Sequence, residues 1–377
     1  MIPMAHKILS FKSKLVWLCL ACLVFSANAK ADNRHSYSIE PFSSDVKYTR
    51  PLLVDRDPPI YPKSASRYGT TGFVELTMMV DTEGKPFELA VLRSTSDVFH
   101  KSALAAVKGY KFNPAKVDGE PVIGRYVVTV KYEMEGQYNG VQARTIRILK
   151  ELKGEVQSSS LRRARKDNLQ GQIQNIINNR RNTRCGNANA YLLMQQFADK
   201  AKDRDLQIDA LQLLQHFDGH MALDDYDEEQ DRFNCFGSSF NVNIDLALIS
   251  LTLAQGNTAA ALNEMSQYDL PNTTKRKHRL VESISRFDIQ KAIAKNRSTY
   301  YTIRKNGSVF IETLNHVLRI TGEAEDLKTA ELRCDAGYKK LSLSADTVID
   351  IPKSYGRCQI QVIGLPETKF RVRKKRA

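Results

Sequence analysis

The most regular hydrophobic pattern in the chain is an alternation over residues 73–80, "FVELTMMV", which predicts a β-strand. A turn over 81–84 contains a glycine that accepts a positive φ, and a second alternating run follows at 87–91, so the two runs predict a hairpin. A third strand is predicted over 123–134. The residues expected on the core face of the first and third strands are Val74, Leu76, Met78 and Val80, and Tyr126, Val128, Val130 and Tyr132.

Between the second and third strands, apolar residues at 3–4 spacing over 98–108 predict a helix that Ser96 or Asp97 caps. Three strands and this helix make a small α+β unit in which one face of the sheet is covered. Pro114 prevents the helix from continuing. Tyr110 and Phe112 then lie on one side of an extended segment, where they cover the open end of the core.

The order and spacing of these features resemble the C-terminal domain of the TonB family, the periplasmic part of the energy transducer of Gram-negative outer-membrane transport. The matching motifs are "PPIYPKSA" at 58–65, "GFV" at 72–74, "VDTEG" at 80–84 and "YKFNPA" at 110–115, followed by the third strand. The resemblance implies that an extended segment of a partner pairs with a sheet edge as an added strand. The implied peptide-binding edge is Arg125, Val127, Val128, Thr129 and Lys131. The alternative is that later regions of the chain cover this edge.

The remainder of the chain predicts two further regions. Helical patterns over 187–217, broken at 203–205, and over 244–253 and 259–265 indicate tetratricopeptide-like hairpins or a plain helical bundle. Short alternating runs between 300 and 363 predict a small β-sandwich-like domain. The fold class is therefore α+β. The expected order is a signal peptide (1–31), a flexible lead-in (32–50), the TonB-like three-stranded sheet with helices (51–138), an α-helical hairpin region (139–298), a β-rich domain (299–370) and a basic tail (371–377).

Three lysines precede an apolar run over 15–27, and two small-x-small sites follow at 27–31, which is the order of a cleaved secretory signal. The run is shorter than the ~20 residues that span a bilayer. We therefore expect a periplasmic protein, with an inner-membrane anchor formed by an uncleaved signal as the alternative. Four of the six cysteines follow this signal, and an even number in an exported chain predicts disulfides. The predicted pairs are Cys185–Cys235 and Cys334–Cys358.

The formal net charge is +14 at pH 7, and loss of four lysines with the signal leaves +10. Such a basic exported chain suits anionic surfaces, whereas nucleic acid is a poor match for its compartment. His216 and His220 precede an acidic run at 224–229, but Gly219 favours a helix end and the run lacks the glycine of a calcium loop, so no metal site is predicted. The sequence contains no nucleophile motif and no phosphate-binding glycine loop, so we predict neither an enzyme nor a cofactor.

The predicted TonB-like domain follows the lead-in without a proline-rich spacer, and a long C-terminal region comes after it. We therefore expect a non-enzymatic envelope protein, not an energy transducer. It would bind a protein or peptide segment by strand addition, and the resemblance implies an outer-membrane transporter as the partner. The alternative is a structural envelope protein that contacts peptidoglycan or membrane through its basic surfaces.

Overall fold

The structure is a computed structural model, and several expectations from the sequence fall outside the part of the chain that it describes. These are the signal peptide, most of the lead-in, Cys235 and the segment from His216 to the acidic run. In the part that is described, no helix is both long and apolar enough to cross a bilayer. The described residues are 45–134, 143–158, 163–179, 181–215, 240–255, 261, 298–313, 317–322 and 325–374.

Residues 48–132 form an N-terminal unit around a three-stranded antiparallel sheet, in which the strand at 72–80 lies between those at 86–94 and 124–132. The predicted hairpin, helix and third strand are all present, and the helix begins with a short 3-10 turn at Asp97–Phe99. Tyr48–Thr49, expected in the lead-in, instead pairs with Lys116 and Val117. The elements of this unit are β1 (Tyr48–Thr49), β2 (Leu52–Asp55), α1 (Lys63–Tyr68), β3 (Gly72–Val80), β4 (Pro86–Ser94), α2 (His100–Lys108), β5 (Lys111–Asn113), β6 (Ala115–Val117), β7 (Glu120–Val122) and β8 (Gly124–Tyr132).

Helices α1 and α2 cover one face of the sheet, because the alternating apolar residues of β3 and β8 meet the apolar stripe of α2 there. Phe99 stacks on Tyr132 with ring centroids 4.3 Å apart, and Tyr61 meets both rings edge-on. Phe112 contacts Tyr126 at 4.9 Å. Tyr110 and Phe112 are both buried in this core, as the segment after the helix predicts.

A helical region follows, and its helices share one hydrophobic core. The predicted break at 203–205 is present: Lys202 adopts a left-handed φ of 60°, and the Asp203 side chain accepts a hydrogen bond from the N–H of Leu206. Whether these helices form tetratricopeptide-like hairpins or a plain bundle stays a prediction. The helices are α3 (Ala143–Ser158), α4 (Arg163–Ile177), α5 (Arg184–Ala201), α6 (Arg204–Leu214) and α7 (Phe240–Ala254).

The C-terminal region is a β-sandwich of two four-stranded antiparallel sheets around a common core. One sheet has the strand order β10 (Ser308–Thr313), β15 (Cys358–Gly364), β12 (Leu327–Cys334) and β13 (Gly337–Ser342), and the other has the order β14 (Asp346–Asp350), β11 (Val317–Thr321), β16 (Lys369–Lys374) and β9 (Ser298–Thr302). A disulfide joins Cys334 and Cys358, which lie directly opposite each other on β12 and β15. The expected basic tail begins as part of β16, because Phe370 and Val372 alternate into the core.

The sequence predicts one covered face for the three-stranded sheet, whereas the structure covers both. Phe73, on the face away from α2, packs into the core of the helical region. Thr77 and Met79 on the same face are completely buried. Phe87 meets Tyr338 of β13 edge-on, with centroids 5.5 Å apart. The helices and the β-sandwich therefore supply the second layer that this face needs.

Buried charges fasten the β-sandwich to the sheet. Arg333 and Glu331 of β12 form an ion pair at 2.6 Å, with side chains only 2% and 4% exposed. Lys340 reaches the other oxygen of Glu331 at 3.1 Å. The Arg333 guanidinium also donates to the main-chain carbonyl of Glu88 in β4. This arginine thus links the two regions directly.

We expect Glu331→Gln to destabilise the folded chain by about 3–5 kcal/mol, because it leaves the buried charge of Arg333 without its carboxylate. The measurement is urea unfolding of the full chain. Glu83→Gln is the matched control, since Glu83 pairs with Lys85 on the surface, where both side chains are 70% or more exposed. Equal unfolding midpoints for the two variants would show that the buried pair does not hold the β-sandwich in place.

Candidate functional site: the outer edge of β8

Strand β8 is a straight sheet edge. Its pairing with β3 runs without a register shift from Gly72 opposite Tyr132 to Val80 opposite Gly124. The other edge strand, β4, has two register shifts against β3, and its Glu88 adopts a positive φ of 45°. Within the described part of the chain, β8 pairs only with β3, so its outer side is an open ladder.

The register shows which residues turn their main-chain groups outward. Phe73 directs both of its groups towards β4: its carbonyl accepts from the Thr95 N–H at 3.1 Å, and its N–H donates to Thr95 Oγ1 at 3.0 Å. Residues of an antiparallel strand face their two neighbours alternately. Lys131 lies opposite Phe73 and therefore faces away from β3. The same parity gives an outward N–H and C=O to Thr129, Val127 and Arg125.

The side chains of β8 also divide into two sets. Tyr126, Val128, Val130 and Tyr132 lie on the face packed against α2. Val128 therefore turns its main chain towards Leu76 of β3 and its side chain towards the core. Of the five residues predicted for the edge, Val128 is thus the one whose side chain packs in the core and whose main-chain groups do not face a guest strand.

Arg125 is engaged within the protein. Its guanidinium bonds both carboxylate oxygens of Glu312 on β10, at 3.1 and 3.3 Å, and Gln359 donates to the same carboxylate at 2.8 Å. Burial lowers the pKa of Arg125, but Glu312 and Asp335 raise it by more, so the guanidinium stays charged. The prediction that this side chain flanks a guest strand does not match its position.

The first residue of β8 lies against a turn of the β-sandwich. A Cβ at Gly124 would approach the Cβ of Ala115 to 2.6 Å, and the carbonyl of Asp335 and a ring carbon of Pro51 to 3.0 Å. The Tyr48 hydroxyl donates to the same Asp335 carbonyl at 3.1 Å. The β-sandwich thus crowds the beginning of the strand, as the alternative interpretation of the sequence expects, whereas Val127 and Lys131 further along the strand are exposed among the described residues.

The open part of the edge runs from Val127 to Lys131. Val127 is 41% exposed and Lys131 is exposed, whereas Thr129 is half-buried. A partly exposed valine on a flat edge offers apolar contact beside outward main-chain groups. The arrangement has the properties of a short receptor strand for an extended peptide.

A cleft of about 200 Å³ lies beside β4, where the N-terminal unit, α6 and the β9–β10 turn meet. Ser94 Oγ hydrogen-bonds His100 Nε2 there at 2.6 Å, and burial lowers the pKa of His100, against a smaller opposite effect of Asp97. Asp209 of α6 forms an ion pair with Arg304 across the cleft. Ser94 is thus paired with His100 on the N-terminal unit, and Asp209 with Arg304 between α6 and the β9–β10 turn.

Comparison with known proteins identifies the N-terminal unit. The family profile described as "Gram-negative bacterial TonB protein C-terminal" matches residues 57–134. "Protein TonB" of Vibrio cholerae serotype O1 is 31% identical over 96 residues, which cover 23% of this chain and 39% of the relative. "Protein TonB" of Xanthomonas campestris pv. campestris (strain B100) is 33% identical over 79 residues, 21% of this chain and 35% of the relative.

Among solved structures, the "Solution NMR structure of Pseudomonas aeruginosa TonB CTD" matches 25% of this chain and 91% of that chain, at 25% identity and a TM-score of 0.20. The family profile and the curated relatives together show a TonB-type C-terminal domain at residues 57–134. The chain spans less than two fifths of the length of the curated relatives named above.

Sequence reasoning missed the residues that limit the edge. Glu312 and Asp335 come from the β-sandwich, far along the chain from β8. No local pattern pairs Arg125 with a carboxylate 187 positions away. Glycine at 124 was the one available signal, because a glycine at the start of a strand often marks the close approach of another backbone.

We expect Gly124→Ala to destabilise the chain by about 1–3 kcal/mol, because the new methyl group overlaps Ala115 and the carbonyl of Asp335. The control is Gly154→Ala in α3, where an added Cβ meets nothing within 4 Å. In this helix, alanine should stabilise by about 0.5–1 kcal/mol. Urea unfolding midpoints should therefore move in opposite directions. A rise in both midpoints would contradict the close contact at the start of β8.

Proposed function

We propose that this protein is a non-enzymatic envelope adaptor that binds an extended segment of a partner protein along β8. The outward main-chain groups of Val127, Thr129 and Lys131 form the receiving ladder. The observation that carries the proposal is the unbroken β3–β8 register, which leaves a straight row of donors and acceptors on the outer side of the strand. An added strand satisfies these groups as it does in other sheet-edge complexes.

The partner class follows from the family. The relatives that match residues 57–134 bear the name "Protein TonB", and the TonB family couples to outer-membrane transporters through this domain. We therefore propose a periplasmic segment of an outer-membrane transporter as the guest strand, and the periplasm as the compartment. The covered second face favours an adaptor function, because the helical region and the β-sandwich extend the domain, while among the described residues no strand pairs with the outer side of β8.

The backbone test uses Val127→Pro, which removes one outward N–H while keeping the strand's bonds to β3. Proline is tolerated at such an edge position. Loss of one ladder bond costs about 0.5–1.5 kcal/mol, and the ring also blocks the guest, so the Kd for transporter peptides should rise at least about tenfold. The measurement is fluorescence anisotropy with synthetic peptides from the periplasmic segments of outer-membrane transporters.

Val127→Thr is the matched control, because it preserves the β-branched shape and the N–H, and its Kd should stay within about threefold. Val128→Pro is a second control. It removes an N–H directed at β3 and should lower the unfolding midpoint, which Val127→Pro should leave nearly unchanged. If the correctly folded Val127→Pro protein binds the peptides as the unmodified chain does, the guest does not use this edge.

Salt separates strand addition from binding by basic surfaces. Main-chain hydrogen bonds carry no net charge, so peptide affinity should change little when ionic strength rises from about 0.05 M to about 0.5 M. A structural envelope protein that contacts peptidoglycan through exposed lysines and arginines would lose its binding over the same range. Loss of peptide binding at high salt would therefore favour that second function over strand addition.

A further inference from the structure

The outer face of the β14-β11-β16-β9 sheet carries a row of cations. Phe370 and Val372 of β16 point into the sandwich core, so the alternate residues of this central strand point outward. The same alternation applies to the neighbouring strands. We define the arginine face by Lys369, Arg371 and Arg373 of β16, Arg319 of β11, Tyr300 of β9 and Val348 of β14.

Two cations of this face oppose each other directly. Arg319 and Arg373 are cross-strand partners in the β11–β16 ladder. Like charges at directly opposed positions destabilise a sheet. Arg319 has one carboxylate nearby, Asp346 at 3.4 Å, but both side chains are half exposed, so that pair gives little compensation. An anion bound between the two guanidinium groups would relieve this repulsion.

A third arginine is held in position beside them. The guanidinium of Arg371 lies 5.4 Å from the ring centroid of Tyr300, and its Nη2 donates to Ser298 Oγ at 2.8 Å. These contacts restrict the side chain, which shares its face of β16 with Arg373, two residues along the strand. Fixed arginine forks bind phosphate oxygens well, because the planar donors match the geometry of the anion.

Each edge of the face carries one exposed apolar side chain, and on β14 this residue lies between Asp346 and Asp350 on the same face. Tyr300 is 70% exposed on β9, and Val348 is 53% exposed on β14, on opposite sides of the arginines. A tyrosine presents an apolar ring with a polar tip, which suits the boundary between lipid headgroups and acyl chains. A basic face with an exposed tyrosine on one edge and an exposed valine on the other is complementary to a bilayer surface.

We propose that the arginine face docks on an anionic phospholipid membrane, with headgroup phosphates between Arg319, Arg371 and Arg373. The ligand chemistry is a phosphate diester displayed on a surface, and Tyr300 and Val348 contact the interface around it. This docking is independent of the β8 edge, so either activity can be lost while the other is retained.

The test is co-sedimentation of the full chain with vesicles that contain about 30 mol% phosphatidylglycerol, compared with phosphatidylcholine vesicles. Arg319→Gln with Arg373→Gln should weaken binding to the anionic vesicles at least about tenfold. Lys85→Gln with Lys111→Gln is the control of equal charge loss, since both lysines are exposed on the N-terminal unit. It should weaken binding less than about threefold.

Arg373→Glu separates function from folding. It places a carboxylate opposite Arg319, a favourable cross-strand pair, so the thermal midpoint should hold or rise while vesicle binding is lost. If the two double variants weakened vesicle binding equally, the binding would depend only on the total charge of the chain, and the proposal would be overturned. Vesicle binding retained by Arg373→Glu would overturn it as well. Arginine-dependent binding to isolated peptidoglycan, without binding to anionic vesicles, would assign the face to a glycan instead.

Discussion

The structure depends on burial of β3 on both of its faces. A three-stranded sheet with helices on one side leaves its other side in water, yet Phe73, Thr77 and Met79 are inaccessible on that side. The helical region covers the Phe73 end, and the β-sandwich approaches the opposite end through Arg333 and its contact with Glu88. The three-stranded sheet therefore lies between two layers: α1 and α2 on one face, and the helical region with the β-sandwich on the other.

This constraint also determines which edge stays open. The β-sandwich reaches across the sheet from the start of β4 to the start of β8, where Arg125 meets Glu312. On β4, register shifts and the backbone of Glu88 interrupt a regular ladder. Bulges and covering segments are the usual means by which edge strands avoid unwanted pairing. In the described part of the chain, the β3–β8 ladder has no bulge, and no strand pairs with the outer side of β8.

Much of the fold could be predicted from the sequence, since period-two and 3–4 patterns locate β3, β8 and α2 within a few residues. Two local signals were open to a second interpretation. Thr77 and Met79 make β3 nearly continuous in apolar and small residues, which is typical of a strand buried on both faces. Arg371 and Arg373 resemble a charged tail, but they alternate with Phe370 and Val372 as in a half-buried strand. The many charged residues of that segment concealed its period-two pattern of apolar positions.

The candidate site was harder to predict than the fold, because its defining facts are pairings between distant residues. Sequence alternation shows which side chains of β8 share a face, but the direction of each N–H depends on the partner strand, here through the bonds between Phe73 and Thr95. Of the predicted edge residues, that dependence turns the main-chain groups of Val128 towards β3 and those of Val127 and Thr129 outward. The arginine face has the same origin, because Arg319 and Arg373 become neighbours only when β11 pairs with β16. The proposed peptide-binding edge uses uncharged main-chain groups and the proposed arginine face uses charge, so a basic composition and a sheet-edge receptor are compatible properties of one chain.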